Sequence, residues 1–170
     1  LPSLAMRVGI PGCAIAAVNL VRGIARLAGL ASPIVPGATG DLKTDFAAKG
    51  RAAVSALDKY DFVVVHVEAP DEAAHHADPE AKVWAIEQVD EKVLGPLLRS
   101  LRRAGPSRVL VVPDHRTTIA SRTHEDGPVP FVIAGEGVRA RGASKFCEGA
   151  AQETGVLVEE GHRLIGELFS

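Results

Sequence analysis

The sequence predicts an α/β layered fold with a mainly parallel sheet flanked by helices. Three observations carry that expectation. Short apolar runs alternate with stretches of helical periodicity along nearly the whole chain. The runs are rich in β-branched residues and show little polar alternation, as expected of strands covered on both faces. Glycine and proline punctuate the boundaries between them.

Taken in order, residues 12–17 read as a first short strand, followed by a helix near residues 21–28 that stops at Gly29. Residues 33–36 form a short strand or an extended connector. Residues 37–41 (GATGD) are turn chemistry, and Thr44 or Asp45 is placed to cap a helix running to about Tyr60. Residues 61–69 (DFVVVHVEA) make the clearest strand. A long helix then spans 79 to about 103. Pro79 suits its first turn, and Val83, Ile86, Val89, Val93, Leu97 and Leu101 recur as one apolar stripe. Gly95-Pro96 lies inside that span and is expected to kink or split it. Residues 108–112 (RVLVV) and 130–134 (PFVIA) are further strands, and a helix over about 159–169 closes the chain.

The bulk numbers narrow the function classes. The 170 residues have the length of one ordinary domain, and 46% hydrophobic with 24% charged residues is a globular balance. A formal net charge of −2 and few aromatics give no case for nucleic acid or an anionic membrane surface. No apolar run approaches the roughly 18 residues needed to span a bilayer. Cys13 and Cys147 stand far apart, in neither CxxC nor zinc-knuckle spacing, which fits reduced thiols and a cytoplasmic location.

Chemistry concentrates where strands end. In open α/β sheets, ligands gather outside the carboxyl ends of the strands. The run from Glu68 to His76 follows one predicted strand, Asp114-His115 follows another, and His124-Glu125-Asp126 lies just ahead of a third. Carboxylate oxygen and imidazole nitrogen together suit Zn²⁺, Mn²⁺ or Fe²⁺. Asp71 and His75 are four apart, so a helical turn would set them on one face. By spacing alone, a metal site and a set of solvated loop residues both remain open. His66, inside a valine-rich strand, reads as a satisfied core histidine, and Trp84 as packing. The GATGD turn lacks the Gly-Lys-Ser/Thr of a P-loop.

The ordered set of motifs is more specific. VRGIARLAGL and PGATGDLKTDFAAKG, then VHVEAPDEAAHHADPEAKVWAIEQVDEKV, VVPDHRTT, RTHEDGPVPFVI and the closing EEGHRL resemble the archaeal-type cofactor-independent (2,3-bisphosphoglycerate-independent) phosphoglycerate mutases. These belong to the alkaline-phosphatase-like metalloenzyme superfamily. The resemblance implies two divalent cations, Mn²⁺ foremost, with Zn²⁺, Mg²⁺ or Co²⁺ as other occupants. It assigns Asp71, His75 and His124 to one cation, and Asp114 and His115 to the other. It also implies interconversion of 3-phosphoglycerate and 2-phosphoglycerate through a phosphoserine.

The family's nucleophilic serine and an inserted substrate-binding domain have no counterpart in this sequence, which opens on Leu1. Residues 1–170 are therefore expected to be the C-terminal, metal-binding part of the phosphatase/mutase domain, with no catalytic nucleophile and no activity alone. Arg116 stands where relatives usually carry proline. The expected partner is a small phosphoglycerate, with neither nucleic acid nor membrane. Two alternatives stand beside this reading: a metal-dependent phosphatase or phosphopentomutase of the same superfamily, and a non-catalytic metal-binding fragment.

Overall fold

The computed structural model describes Leu4, Met6 and residues 9–169; Leu1, Ser3 and Ser170 lie outside the described residues. Two compact units make up the chain: Leu1–Ser100 with Thr118–Thr123, and Leu101–Thr117 with His124–Ser170.

In the first unit, β1 (Gly12–Ile15) pairs in parallel with β2 (Phe62–Val65), from Gly12 opposite Phe62 to Ile15 opposite Val65. The connection between them carries α1 (Asn19–Leu27) and α2 (Phe46–Leu57), the helical crossover that a parallel pair requires. Cys13 and Ile15 are each 1% exposed and pack with Ala53 and Ala56 of α2. The Asp45 carboxylate starts α2 by accepting from the Ala48 N–H at 2.8 Å. Beyond β2 come α3 (Ala69–His75), α4 (Pro79–Gln88), a π-helical stretch (Val89–Leu94) and α5 (Gly95–Ala104).

The π-helical stretch is the form the predicted break takes. Pro96 has no N–H to give the Lys92 carbonyl four residues back, so the helix widens ahead of it. Gly95 N–H accordingly reaches five residues back, to Asp90 O. The Lys92 carbonyl faces Gly50 of α2, where a Cβ would sit 2.1 Å from it. Only glycine allows that approach.

The second unit holds β3 (Arg108–Val111) and β6 (Val132–Gly135), paired antiparallel, and the short β4 (Arg116–Thr117) and β5 (His124–Glu125), also antiparallel. Gly135 ends β6 at φ +132, and a Cβ there would lie 2.0 Å from Ser107 O. Arg108 donates to Glu136 O at 2.7 Å and Glu167 O at 2.8 Å. A short helix α6 (Glu148–Glu153) and a 3₁₀ helix (Gly161–Leu168) follow.

The α/β class holds, with four corrections in detail. Only β1–β2 is parallel among the described strands. The segment joining β3 to β6 carries a hairpin rather than a helix, so no crossover enforces the parallel direction. The strands are also less covered than their apolar runs suggested, with Val64 and Val112 37% and 42% exposed. Val83 and Ile86 are 57% and 51% exposed, whereas Ala85 and Val93 are buried, so the predicted apolar stripe is not the buried face along its whole length. The closing helix is 3₁₀, and only Leu164 of it is buried.

Candidate metal centre

α3 supplies the first two predicted ligands. Pro70 sits in its first turn, where a missing N–H is harmless. Asp71 and Glu72 place negative charge at its positive end, and Ala73 and Ala74 fix it against the core at 0% exposure. One helical turn brings Asp71 Oδ2 to 3.2 Å from His75 Nε2. Oxygens of Glu68, Asp71 and Glu72 lie within 4.8 Å of one another.

The other nitrogen of His75 settles how the ring presents itself. Its Nδ1 lies 2.8 Å from the Arg122 carbonyl, which can only accept, so Nδ1 carries the proton. In the neutral ring Nε2 then holds the lone pair, on the side of Asp71. A backbone carbonyl behind a histidine is the usual way a metal-binding imidazole is aimed. Arg122 reaches this position in the left-handed region, φ 58, in a turn closed by its N–H to Thr118 O and by the Thr118 and Ser121 hydroxyls. The Arg122 hydrogen bond raises the His75 pKa above 6.5; burial opposes, and the Asp71 and Glu72 charges add to the rise.

In the second unit, Asp114 and His115 follow β3, and His124 opens β5. The hairpin register sets Thr117 opposite His124, and the His115 and His124 rings lie with centroids 3.8 Å apart, tilted 31°. His115 Nδ1 is 3.1 Å from Thr117 Oγ1, a side chain 7% exposed, and Nε2 is 3.6 Å from Asp114 Oδ2. Asp114 Oδ1 accepts from the His115 N–H at 3.1 Å. Arg116 Nη2 lies 4.0 Å from Glu125.

Each unit thus gathers its own share of the predicted residues: Asp71 with His75, and Asp114 with His115 and His124. Both shares combine carboxylate oxygen with imidazole nitrogen, a donor set suited to Mn²⁺, Co²⁺ or Zn²⁺. Arg122 and Thr117, which orient His75 and His115, were not singled out by the sequence, whereas Glu68 and Glu72 lie in the acidic run that was. A backbone carbonyl leaves no trace in residue type, but Thr117 two residues after His115 is a readable signal. His66 is satisfied on one side only: Nε2 faces Glu68 at 3.3 Å, while Nδ1 is buried with no hydrogen-bond partner. Trp84 is 45% exposed and packs edge-on against Phe46 at 5.7 Å. The GATGD turn closes on itself, with Asp41 Oδ1 accepting from the Thr39 hydroxyl at 2.8 Å and the Lys43 N–H at 2.7 Å.

The chain is 49% identical over 163 residues to a 2,3-bisphosphoglycerate-independent phosphoglycerate mutase of Methanothrix thermoacetophila, covering 95% of this chain and 42% of that protein. A second protein of that name, from Methanothermobacter thermautotrophicus, is 49% identical over 94% of this chain and 39% of its own length. This chain therefore spans about two fifths of the curated relatives it matches. A solved structure from Pyrococcus horikoshii superposes with a TM-score of 0.91 at 30% identity, over 98% of this chain and 50% of that one. The cofactor-independent phosphoglycerate mutase of Thermoplasma acidophilum superposes at 0.69 and 22% identity, over 99% of this chain and 38% of that one, a likeness of fold. Among the described residues no helix is long and apolar enough to cross a membrane. Residues 2–159 match the metalloenzyme superfamily, and the chain belongs to that superfamily, whose members bind divalent metal.

Proposed function

We propose that this chain is the metal-binding part of a 2,3-bisphosphoglycerate-independent phosphoglycerate mutase, a cytoplasmic enzyme that interconverts 3-phosphoglycerate and 2-phosphoglycerate in glycolysis and gluconeogenesis. Asp71, His75 and His124 are assigned to one divalent cation, and Asp114 and His115 to a second, both Mn²⁺. Support comes from the names of the relatives, which the chain matches over about two fifths of their length. The observation that carries the metal assignment is the His75 ring, its Nδ1 proton held by the Arg122 carbonyl and its Nε2 beside Asp71.

Bound cations of this kind lower the pKa of a coordinated hydroxyl and offset charge on a phosphoryl group in transfer. The residues of this chain orient the ligands. Asp71 and His75 are held by one helical turn, and Thr117 sets the His115 ring. No nucleophile is assigned within the chain, so the phosphoserine step falls to a serine elsewhere in the enzyme.

The test is a coupled assay for 2-phosphoglycerate on the purified chain with Mn²⁺, run beside an assay for inorganic phosphate. The expected result is no isomerisation, since positioning and the nucleophile each supply many orders of magnitude in rate. The same assays on the chain joined to the remaining length of its relatives should give 2-phosphoglycerate. Free phosphate as the main product there would favour a phosphatase of the same superfamily. Isomerisation by the 170-residue chain alone would place the nucleophile inside it and overturn the half-site reading.

A further inference from the structure

Lys49 occupies a position that the core pattern of α2 would give to an apolar side chain. It lies on the face that also buries Phe46, Ala53 and Ala56, and is itself 1% exposed. An ammonium is expensive to bury unless its protons find acceptors, and a well-packed apolar residue often serves such a site as well. Its Nζ donates to Thr39 O at 3.1 Å and lies 3.4 Å from His66 O. Those two carbonyls belong to segments far apart in sequence.

The second of them runs directly into α3. Thr39 is the centre of the GATGD turn, tied to α2 by its N–H to Thr44 Oγ1 at 3.0 Å and by Asp45 N–H to Gly37 O at 2.9 Å. His66 follows β2 and continues its pairing through its N–H to Ile15 O at 2.9 Å. Two residues on, Glu68 O accepts from the Asp71 N–H at 2.8 Å and starts α3. We propose that Lys49 is a positioning residue for Asp71, its ammonium fastening the GATGD turn to the His66 carbonyl and so fixing where α3 begins. The inference rests on Asp71 being a metal ligand, as proposed above.

The charges around Lys49 agree with that role. Burial lowers its pKa, and the Glu68 and Asp41 carboxylates oppose the fall. Glu68 belongs to the same group of carboxylates as Asp71 and Glu72, so the nearby positive charge eases their mutual repulsion.

The experiment compares Lys49→Met, which keeps the shape and removes the donors, with Ala53→Gly, which loosens the same helix and touches neither carbonyl. Mn²⁺ affinity is measured by calorimetry, and the visible spectrum of bound Co²⁺ reports ligand geometry. Lys49→Met should weaken Mn²⁺ binding about tenfold, the size expected for an orienting group, and shift the Co²⁺ spectrum. Ala53→Gly should lower thermal stability and leave the spectrum unchanged. Equal behaviour of the two variants, or wild-type binding by Lys49→Met, overturns the inference while leaving the metal reading intact. Absence of Mn²⁺ binding by the wild-type chain overturns both. If Lys49→Met does not fold, the Lys49 Nζ and Cε resonances of the wild-type chain are followed during Zn²⁺ addition. A shift on saturation agrees with the coupling, and unchanged resonances overturn it.

Discussion

The two groups of predicted ligands are built in different ways. Asp71 and His75 share one turn of a helix whose alanines are sealed against the core, and a backbone carbonyl holds the His75 ring from behind. Asp114, His115 and His124 sit on a strand exit and a hairpin of two-residue strands, oriented mainly by side chains: a threonine hydroxyl and a ring against a ring. Asp114 is 70% exposed at its side chain, against 19% for Asp71. A ligand aimed by backbone and helix is already in place before an ion arrives, whereas an exposed ligand such as Asp114 must be ordered by binding. The helical group should therefore make the tighter contribution in the isolated chain.

The sharpest way to break that comparison is to remove one carboxylate from each group. Asp71→Ala should weaken Mn²⁺ binding by more than about a hundredfold, since loss of an orienting group alone costs 10–100-fold. Asp114→Ala should cost about tenfold in this chain by the same scale. A calorimetric titration giving the reverse order would show that exposure and side-chain aiming do not weaken the hairpin group. A smaller effect is expected behind the ligands. Thr117→Val keeps the branched shape and removes the hydroxyl at His115 Nδ1, so any ion held by the hairpin should bind about tenfold more weakly. Unchanged affinity would mean that ring stacking with His124 is enough to aim His115.

The pH response separates the groups as well. His75 has its folded pKa raised above 6.5, first through the Arg122 carbonyl. A raised pKa means that the proton stabilises the metal-free fold; that contribution is complete below pH 6.5 and is lost as pH rises through the raised value. Protons and metal compete for the same ring, so Mn²⁺ affinity should fall as pH drops through that range. An NMR titration of the His75 ring in metal-free protein should give a midpoint above 6.5, and a midpoint at or below it would remove the argument. The smallest effect belongs to a residue outside both groups. Asp78 caps α4 by accepting from the Ala81 N–H at 2.9 Å, so Asp78→Ala should lower stability by about 1 kcal/mol in chemical denaturation. Mn²⁺ affinity should not change with it; a parallel loss would tie the helical group to the α4 start.

Much of this was legible in the residues because their chemistry is local. Asp45 is a cap by type and position, the β1 and β2 runs pair as their apolar character suggests, and Pro96 breaks the long helix where proline must. Asp71 and His75 meet across a helical turn because four residues make one. What escaped the sequence depends on pairing over distance or on the backbone. Nothing in the letters says that β3 and β6 run antiparallel, or that Arg122 turns its carbonyl toward His75 from a left-handed conformation. Lys49 left a trace, a charge on an apolar helix face, but its meaning required the two carbonyls it reaches.

Metal binding at the α3 pair is the central claim, and one calorimetric series tests it. The wild-type chain, His75→Ala and His162→Ala are titrated with Mn²⁺ at the same pH. His162 is an exposed residue of the 3₁₀ helix and serves as the control histidine. The wild type and His162→Ala should bind alike, and His75→Ala should lose the tighter binding. Equal loss in both variants, or full binding by His75→Ala, would contradict the assignment of His75 as a ligand.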